Sequence, residues 1–295
     1  MPVYNAEKYI NAAVNSILNQ TYRDFEFIII NDGSTDGTLE ILKAFAQQDS
    51  RIRLISRENK GLVETLNEGL ALAKSPLIAR MDADDISLPD RFKKQYAYLQ
   101  QHPDVVVLGG RCIAIDADGD PLTQWNKLTS SKAIHNQHLH SLCGSAIAHP
   151  AMMYRANNVQ SIGGYRKAAY PAEDLDMLLR IVDEGLLRNL EDVVLKYRVH
   201  MASICATDKS IQNKKVLEIV NSARKGKGLG PLLSPTNSTV KLKHSSDSSS
   251  AVMYGWWALN SGHVKVALKY ACRSLKHAPL SLDSWRLFVC VLRGH

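Results

Sequence analysis

No stretch of the 295 residues approaches the ~18 apolar residues that a membrane-spanning helix needs. Cysteine is scarce and scattered: Cys112, Cys143, Cys205, Cys272 and Cys290 make an odd number with no CxxC pair. That pattern argues against a disulfide framework and suits a reducing compartment. The first residues, Met1-Pro2-Val3-Tyr4-Asn5, lack a leader's basic head and apolar stretch, and read as the inside of a domain. A GxGxxG dinucleotide fingerprint is missing, and so is any RNA- or DNA-binding motif. The rest of the composition, 45% hydrophobic and 22% charged, is that of a globular chain able to bury a full core in one large domain or two.

The net charge of +7 is unevenly spread, since Ile211 to His295 holds 13 Lys/Arg against 3 Asp/Glu. With no nucleic-acid motif beside it, that basic region fits an anionic membrane surface or a solvated face, and nucleic acid is not an expected partner. The expected location is cytoplasmic, or peripheral on the cytoplasmic face of a membrane.

Strand and helix patterns alternate through the first half. Helical spacing runs over Ala6–Asn19, Thr38–Gln48, Leu62–Lys74 and Asp90–Gln101; strands are expected at Phe25–Ile30, Arg53–Ile55, Leu77–Met81 and Val105–Gly110. This order implies an α/β fold with a mainly parallel, Rossmann-like sheet flanked by helices, its ligands at the carboxyl ends of the strands. Arg111–Leu142 reads as polar loop with a short helix. His149–Arg155 and Val193–Val199 read as strands, and Ala172–Glu184 as a helix opening with acids. A basic helix follows Cys205, then a Gly/Ser/Lys-rich linker, then a small helical annex over Val252–Arg293. Four segments result: 1–110, 111–205, 206–250 and 251–295.

The most informative stretch is Leu77-Ile78-Ala79-Arg80-Met81-Asp82-Ala83-Asp84-Asp85, an apolar run ending in three carboxylates. Read as a buried parallel strand, it places those acids where open α/β sheets bind ligands. Crowded carboxylates repel, and a hard divalent cation that bridges to phosphates removes the penalty. A solvated acidic turn leading into the next helix is the competing reading. A second acid, Asp32, ends the strand before Gly33-Ser34-Thr35-Asp36, where Ser34, Thr35 or Asp36 can cap a helix.

Taken together, Pro2-Val3-Tyr4-Asn5, Asn31-Asp32-Gly33-Ser34-Thr35-Asp36, Met81-Asp82-Ala83-Asp84-Asp85 with Leu88-Pro89-Asp90-Arg91, and Gly163-Gly164-Tyr165 before Glu173-Asp174 resemble inverting glycosyltransferases of family 2 over residues 1–205. The resemblance implies a GT-A fold and a metal-dependent inverting transfer from a UDP-, GDP- or dTDP-sugar to a hydroxyl of a saccharide or lipid-linked saccharide. It points to cell-surface polysaccharide or lipopolysaccharide synthesis. It further implies that Pro2, Val3 and Tyr4 floor the base, Asp32 hydrogen-bonds it, and Asp82 reaches the ribose or the metal's water shell. Asp84 would bind Mn²⁺ or Mg²⁺, and His200 would lie near the metal. Arg57 and Arg80 would contact the diphosphate, and Asp174 would be the general base.

The family's first strand is expected to be mostly missing here, because Met1 sits directly before Pro2; low stability and weak activity follow as expectations. Two rivals remain. A metal-dependent nucleotidyltransferase would show a basic Gly-rich loop near its start, which is not present. A catalytically impaired carbohydrate- or partner-binding protein would keep the fold without turnover. His135, His138 and His140 read as a solvated polar helix rather than a zinc site, and His149 as a buried, hydrogen-bonded histidine.

Overall fold

The computed structural model describes residues 1–142, 144–200, 209–233 and 247–294; Cys143, Cys205 and residues 234–246 of the expected linker lie outside the described residues. The chain forms two compact units: Met1–Cys112 with Asn126–Tyr197 and Met201–Leu232, and Ile113–Trp125 with Arg198–His200 and Leu233–His295.

In the first unit, β1 (Pro2–Val3), α1 (Ile10–Leu18), β2 (Phe27–Asp32), α2 (Thr38–Gln48), β3 (Ile52–Arg57) and α3 (Leu62–Leu72) follow one another. The strands pair in parallel in the order β1-β2-β3, with Pro2 opposite Ile30 and Asp32 opposite Arg57. Burial on both faces explains why β2 is a continuous apolar run instead of an alternating one. The helical spacing of Ile10, Ala13, Val14 and Ile17 puts all four in the core.

Next come β4 (Leu77–Ala79), β5 (Ile86–Ser87), α4 (Arg91–Gln101), β6 (Val105–Ile115), β7 (Pro121–Trp125), α5 (Ser131–His140), β8 (Met153–Arg155), α6 (Ala156–Ser161), α7 (Glu173–Ile181) and β9 (Leu186–Arg198). The second sheet has the order β4-β8-β6-β9-β5, with β7 against β6. Here the expectation for Leu77–Met81 is corrected. The strand β4 is half-buried, and it runs antiparallel to β8, with Ile78 opposite Tyr154. Pairs β5–β9 and β6–β8 are antiparallel as well, so the described parallel pairs belong to the first three strands. An apolar run signals burial; the direction of its partner is set by chain connections the run does not encode. The stretch expected as loop holds β7 and the far end of β6. The basic helix is α8 (Lys209–Gly226), whose Val216 and Val220 pack with Leu139 of α5 and Leu175 and Leu179 of α7.

The strand β1 contributes two residues, and among the described residues no other strand pairs with that edge of β2. A cavity of about 600 Å³ borders that edge, lined by Ile28, Ile30, Leu66, Leu77, Ala79 and Met153 among others.

The second unit holds β7 and three helices, α9 (Asp247–Asn260), α10 (Val264–His277) and α11 (Leu282–Arg293), the expected annex. Its core includes Ala114, Leu122, Ala258, Tyr270, Leu287 and Val291. A Cβ on Gly255 would meet Leu287 Cδ2 at 2.4 Å, so the close approach of α9 to α11 requires glycine there. Lys269 Nζ donates to Asp116, Asp118 and Asp120 at 2.9, 2.8 and 2.7 Å, and Tyr270 donates its hydroxyl to Asp116 at 2.8 Å. Burial alone would lower the Lys269 ammonium, but the three acids outweigh it and hold the group above its ordinary value.

Candidate active site

The acids beyond β4 are positioned by a buried arginine that sequence reasoning treated only as part of a helix start. Arg91, at the first turn of α4, donates Nη2 to the carbonyls of Arg80 and Met152 at 2.8 and 3.0 Å, and Nε to Gln95 at 3.0 Å. Gln95 in turn donates to the carbonyls of Leu108 and Ala151 at 3.0 and 2.8 Å. These bonds add partners to buried carbonyls, and they fix the backbone just before Asp82. Only the Leu88-Pro89-Asp90-Arg91 motif hinted at this; its distant partners are invisible in sequence.

Arg80 is buried and ion-paired with Asp82. Burial opposes its charge, yet Asp82 keeps the guanidinium firmly protonated. Oxygens of Asp82, Asp84 and Asp85 lie within 4.8 Å of one another. Burial raises the Asp82 carboxyl and Asp84 adds repulsion, with Arg80 opposing both. An oxygen-only set with this much mutual repulsion fits a hard cation of the Mg²⁺ or Mn²⁺ kind.

Glu173 and Asp174 open α7, where the helix dipole favours acids. Burial and the neighbouring Asp174 push the Glu173 carboxyl up to about 7, and its Oε2 has no hydrogen-bond partner among the described residues. Asp174 is also raised by burial, offset by the Leu175 N–H and by Arg80, while the Asp82 charge adds to the rise. Asp82, Asp84, Glu173 and Asp174 thus share one electrostatic neighbourhood around Arg80. Asp176, one turn into the helix, is structural: it accepts from Arg166 Nε and Arg180 Nε, both at 2.9 Å. Arg180 also donates to the carbonyls of Ile162 and Gly164, both at 2.6 Å, tying down the Gly163-Gly164-Tyr165 turn.

That turn delivers Tyr165 to His149, whose Nε2 lies 2.9 Å from the Tyr165 hydroxyl. Burial, and Arg80 after it, drive His149 well below its ordinary value, so this buried histidine is neutral. Of the α5 histidines, His138 departs from the expected solvated helix, while His140 is exposed. His138 is buried and accepts the Ala146 N–H at 2.9 Å, and burial pushes it down to about 4.

At the tip of β2, Asp32 accepts the N–H groups of Lys60 and Gly61 at 2.8 and 3.0 Å and pairs with Arg57. Burial would raise this carboxyl, but those bonds outweigh it and hold it low. Arg57 donates Nε to Glu68 at 2.7 Å and Nη2 to Thr65 at 2.9 Å besides its pair with Asp32, which makes it a brace for that acid. Gly33 has φ +75°, and a Cβ there would meet the Asn59 nitrogen at 2.6 Å, so only glycine lets the two loops touch.

The Asn5 side chain accepts the Thr35 N–H at 2.8 Å, and the Ala6 N–H donates to Thr38 Oγ1 at 2.9 Å. These bonds tie the end of β1 to the turn after β2; Val3 is buried and Tyr4 is exposed there. Asp36 accepts the Thr38 N–H at 3.1 Å, but Gly37 holds the N-cap position of α2, so the expected side-chain cap is not made. His200 belongs to the second compact unit.

Comparison with known proteins adds sequence and structural likeness to this geometry. Residues 1–158 match the family described as Glycosyl transferase family 2. EpsE of Bacillus subtilis (strain 168), a glycosyltransferase by name, is 35% identical over 203 residues, 67% of this chain and 71% of that protein. The O-antigen biosynthesis glycosyltransferase WbnJ of Escherichia coli is 35% identical over 212 residues, 69% and 79% of the two chains. Among solved structures, TarS 1–349 of S. aureus in complex with UDP-GlcNAc aligns with TM-score 0.56 at 15% identity, over all of this chain and 90% of its own. Mannosyltransferase PcManGT of Pyrobaculum calidifontis, with GDP-Man and Mn2+, aligns with TM-score 0.54 at 16% identity, covering 99% and 78%.

Proposed function

The chain belongs to glycosyltransferase family 2 and has the GT-A fold, and from that premise we propose a metal-dependent, inverting transfer from a nucleoside-diphosphate sugar to an acceptor hydroxyl. The observation that carries this reading is the gathering of Asp82, Asp84 and Asp85 beside buried Arg80, with Asp174 in the same electrostatic neighbourhood. Asp84 and Asp82 would hold Mn²⁺ or Mg²⁺, with Asp85 as a third oxygen source. A cation held there supplies Lewis-acid stabilisation of the departing diphosphate.

The protein's own groups divide the remaining work. Pro2, Val3 and Tyr4 floor the base and Asp32 accepts a hydrogen bond from it. Arg80, fixed in its charged form, offsets the negative charge that grows on the leaving oxygen. Asp174 takes the proton from the acceptor hydroxyl as that oxygen bonds to the anomeric carbon and the carbon–diphosphate bond breaks on the opposite face. Its raised pKa suits the role, because a less acidic carboxyl is a stronger base. The acceptor is a saccharide or lipid-linked saccharide, and the O-antigen biosynthesis in the name of WbnJ supports a place in cell-surface polysaccharide or lipopolysaccharide assembly.

Nucleoside diphosphate release from a panel of UDP-, GDP- and dTDP-sugars tests the reading. Asp174→Asn is expected to lower turnover by about 10²–10⁴-fold with little change in donor affinity. Asp84→Ala is expected to abolish Mn²⁺-dependent donor binding. Donor binding with no release from any acceptor would return the binding-protein alternative, and full turnover in both variants would sink the proposal.

A further inference from the structure

Helix α11 is apolar on two sides, and one of them is bare. Ser284, Leu287 and Val291 face the core of the second unit. On the other side Leu282, Trp285, Val289 and Leu292 recur at helical spacing and stay 86%, 49%, 39% and 66% exposed, with Leu280 just ahead of them at 95%. A helix that needs burial on one side only would carry polar residues on the other. A contiguous apolar stripe in water marks a contact surface. The flanks indicate which contact. Arg286 and Arg293, both exposed, lie along one border of the stripe, and Val264 to Arg293 contains, besides the Lys269 held by three aspartates, five Lys/Arg against the single Asp283. Two copies of so cationic a surface would repel each other, whereas an anionic lipid surface neutralises it. Trp285 adds an amphipathic ring, its indole N–H turned to the Pro279 carbonyl at 2.8 Å, a side chain suited to the boundary between headgroups and acyl chains.

We propose that this face of α11 docks on a bilayer rich in anionic lipids, with Leu282, Trp285, Val289 and Leu292 entering the acyl boundary and Arg286 and Arg293 held at the headgroups. This assigns the peripheral membrane contact to one element. It stands on the second unit alone, so sugar transfer can fail its own test without affecting it.

Co-sedimentation of the full chain with vesicles tests the assignment, comparing pure phosphatidylcholine with a mixture containing about 30% phosphatidylglycerol. Binding is expected to the anionic vesicles only, to weaken in high salt, and to shift tryptophan emission to the blue. Arg286→Gln with Arg293→Gln is expected to weaken partitioning by about 30-fold, each charge being worth about fivefold. Leu292→Ser, at a position that packs against nothing in the core, should weaken it by roughly tenfold while leaving the melting curve unchanged. Equal binding to neutral vesicles, undiminished binding by both variants, or a concentration-dependent dimer that the same substitutions dissolve would each overturn it.

Discussion

Two adjacent carboxyls at the start of α7 sit where a neutral pH change has consequences for folding. Burial and the Asp174 charge raise Glu173 from the ordinary 4.5 to about 7. Between those values the folded chain holds a proton that the unfolded chain has released, so stability falls as pH rises through the window. The contribution is complete below about 4.5 and gone once pH passes about 7. Its size is on the order of 3 kcal/mol at most. Glu173→Gln removes the ionisable group but keeps a neutral side chain in place. The native protein should therefore lose several degrees of melting temperature between pH 5 and 8 that the variant retains, as thermal melts across that range would show. Equal pH profiles would mean that Glu173 is already ionised in the folded chain at low pH. Aspartates 82, 84 and 174 stood out in the sequence because acids near strand or helix ends are a local signal. The support beneath them was hidden. Arg91 reaches the carbonyl of Met152, 61 positions away, and nothing short-range announces such a bond.

At the level of elements, helices were legible and strand partners were not. Thr38–Gln48 emerged with both its ends, because apolar residues at helical spacing and the Gly-containing turn before them are written within a dozen positions. β7 escaped because Pro121-Leu122-Thr123-Gln124-Trp125 offers one buried residue in five. The antiparallel setting of β4 escaped for a different reason: direction belongs to the pairing, and the pairing partner Met153–Arg155 lies some seventy positions on. The cavity beside β2 carries a prediction at this scale. It is lined mostly by apolar residues, with Asp24, Glu26, Lys74 and Arg80 among the rest, and it borders a strand edge that meets Met1, whose ammonium donates to the Ile28 carbonyl at 2.8 Å. Five alternating Val/Ile residues added ahead of Met1 should enter it as a continuation of β1. The gain expected is about 3 kcal/mol, or roughly 5–10 °C in melting temperature for a domain of this size. An extended chain that melts at the same temperature as the native one would show that the slot does not accept a strand.

For the whole molecule, the two units can be followed separately. All four tryptophans, Trp125, Trp256, Trp257 and Trp285, belong to the second one, so intrinsic fluorescence reports its unfolding. Its stability leans on Lys269, which joins α10 to a turn about 150 residues earlier in the chain. Asp116 is buried to within 1% of its surface, and removing its cation strands a charge in the interior. Lys269→Met should cost about 3 kcal/mol, the low end for a broken buried pair because the ammonium is itself one-third exposed. The readout is a fluorescence-detected melt shifted down by several degrees. A shift of less than a degree would reduce the triad to a surface cluster. The basic tail was plain from composition, but that one of its lysines is occupied with three aspartates could be learned only from the fold.

That occupied lysine has one more effect. The annex brings its counter-ion covalently, whereas the acids beyond β4 would borrow theirs from solution. Titration with EDTA should therefore split the protein's behaviour: grip on the sugar nucleotide drops away, while the indole signal melts where it did before.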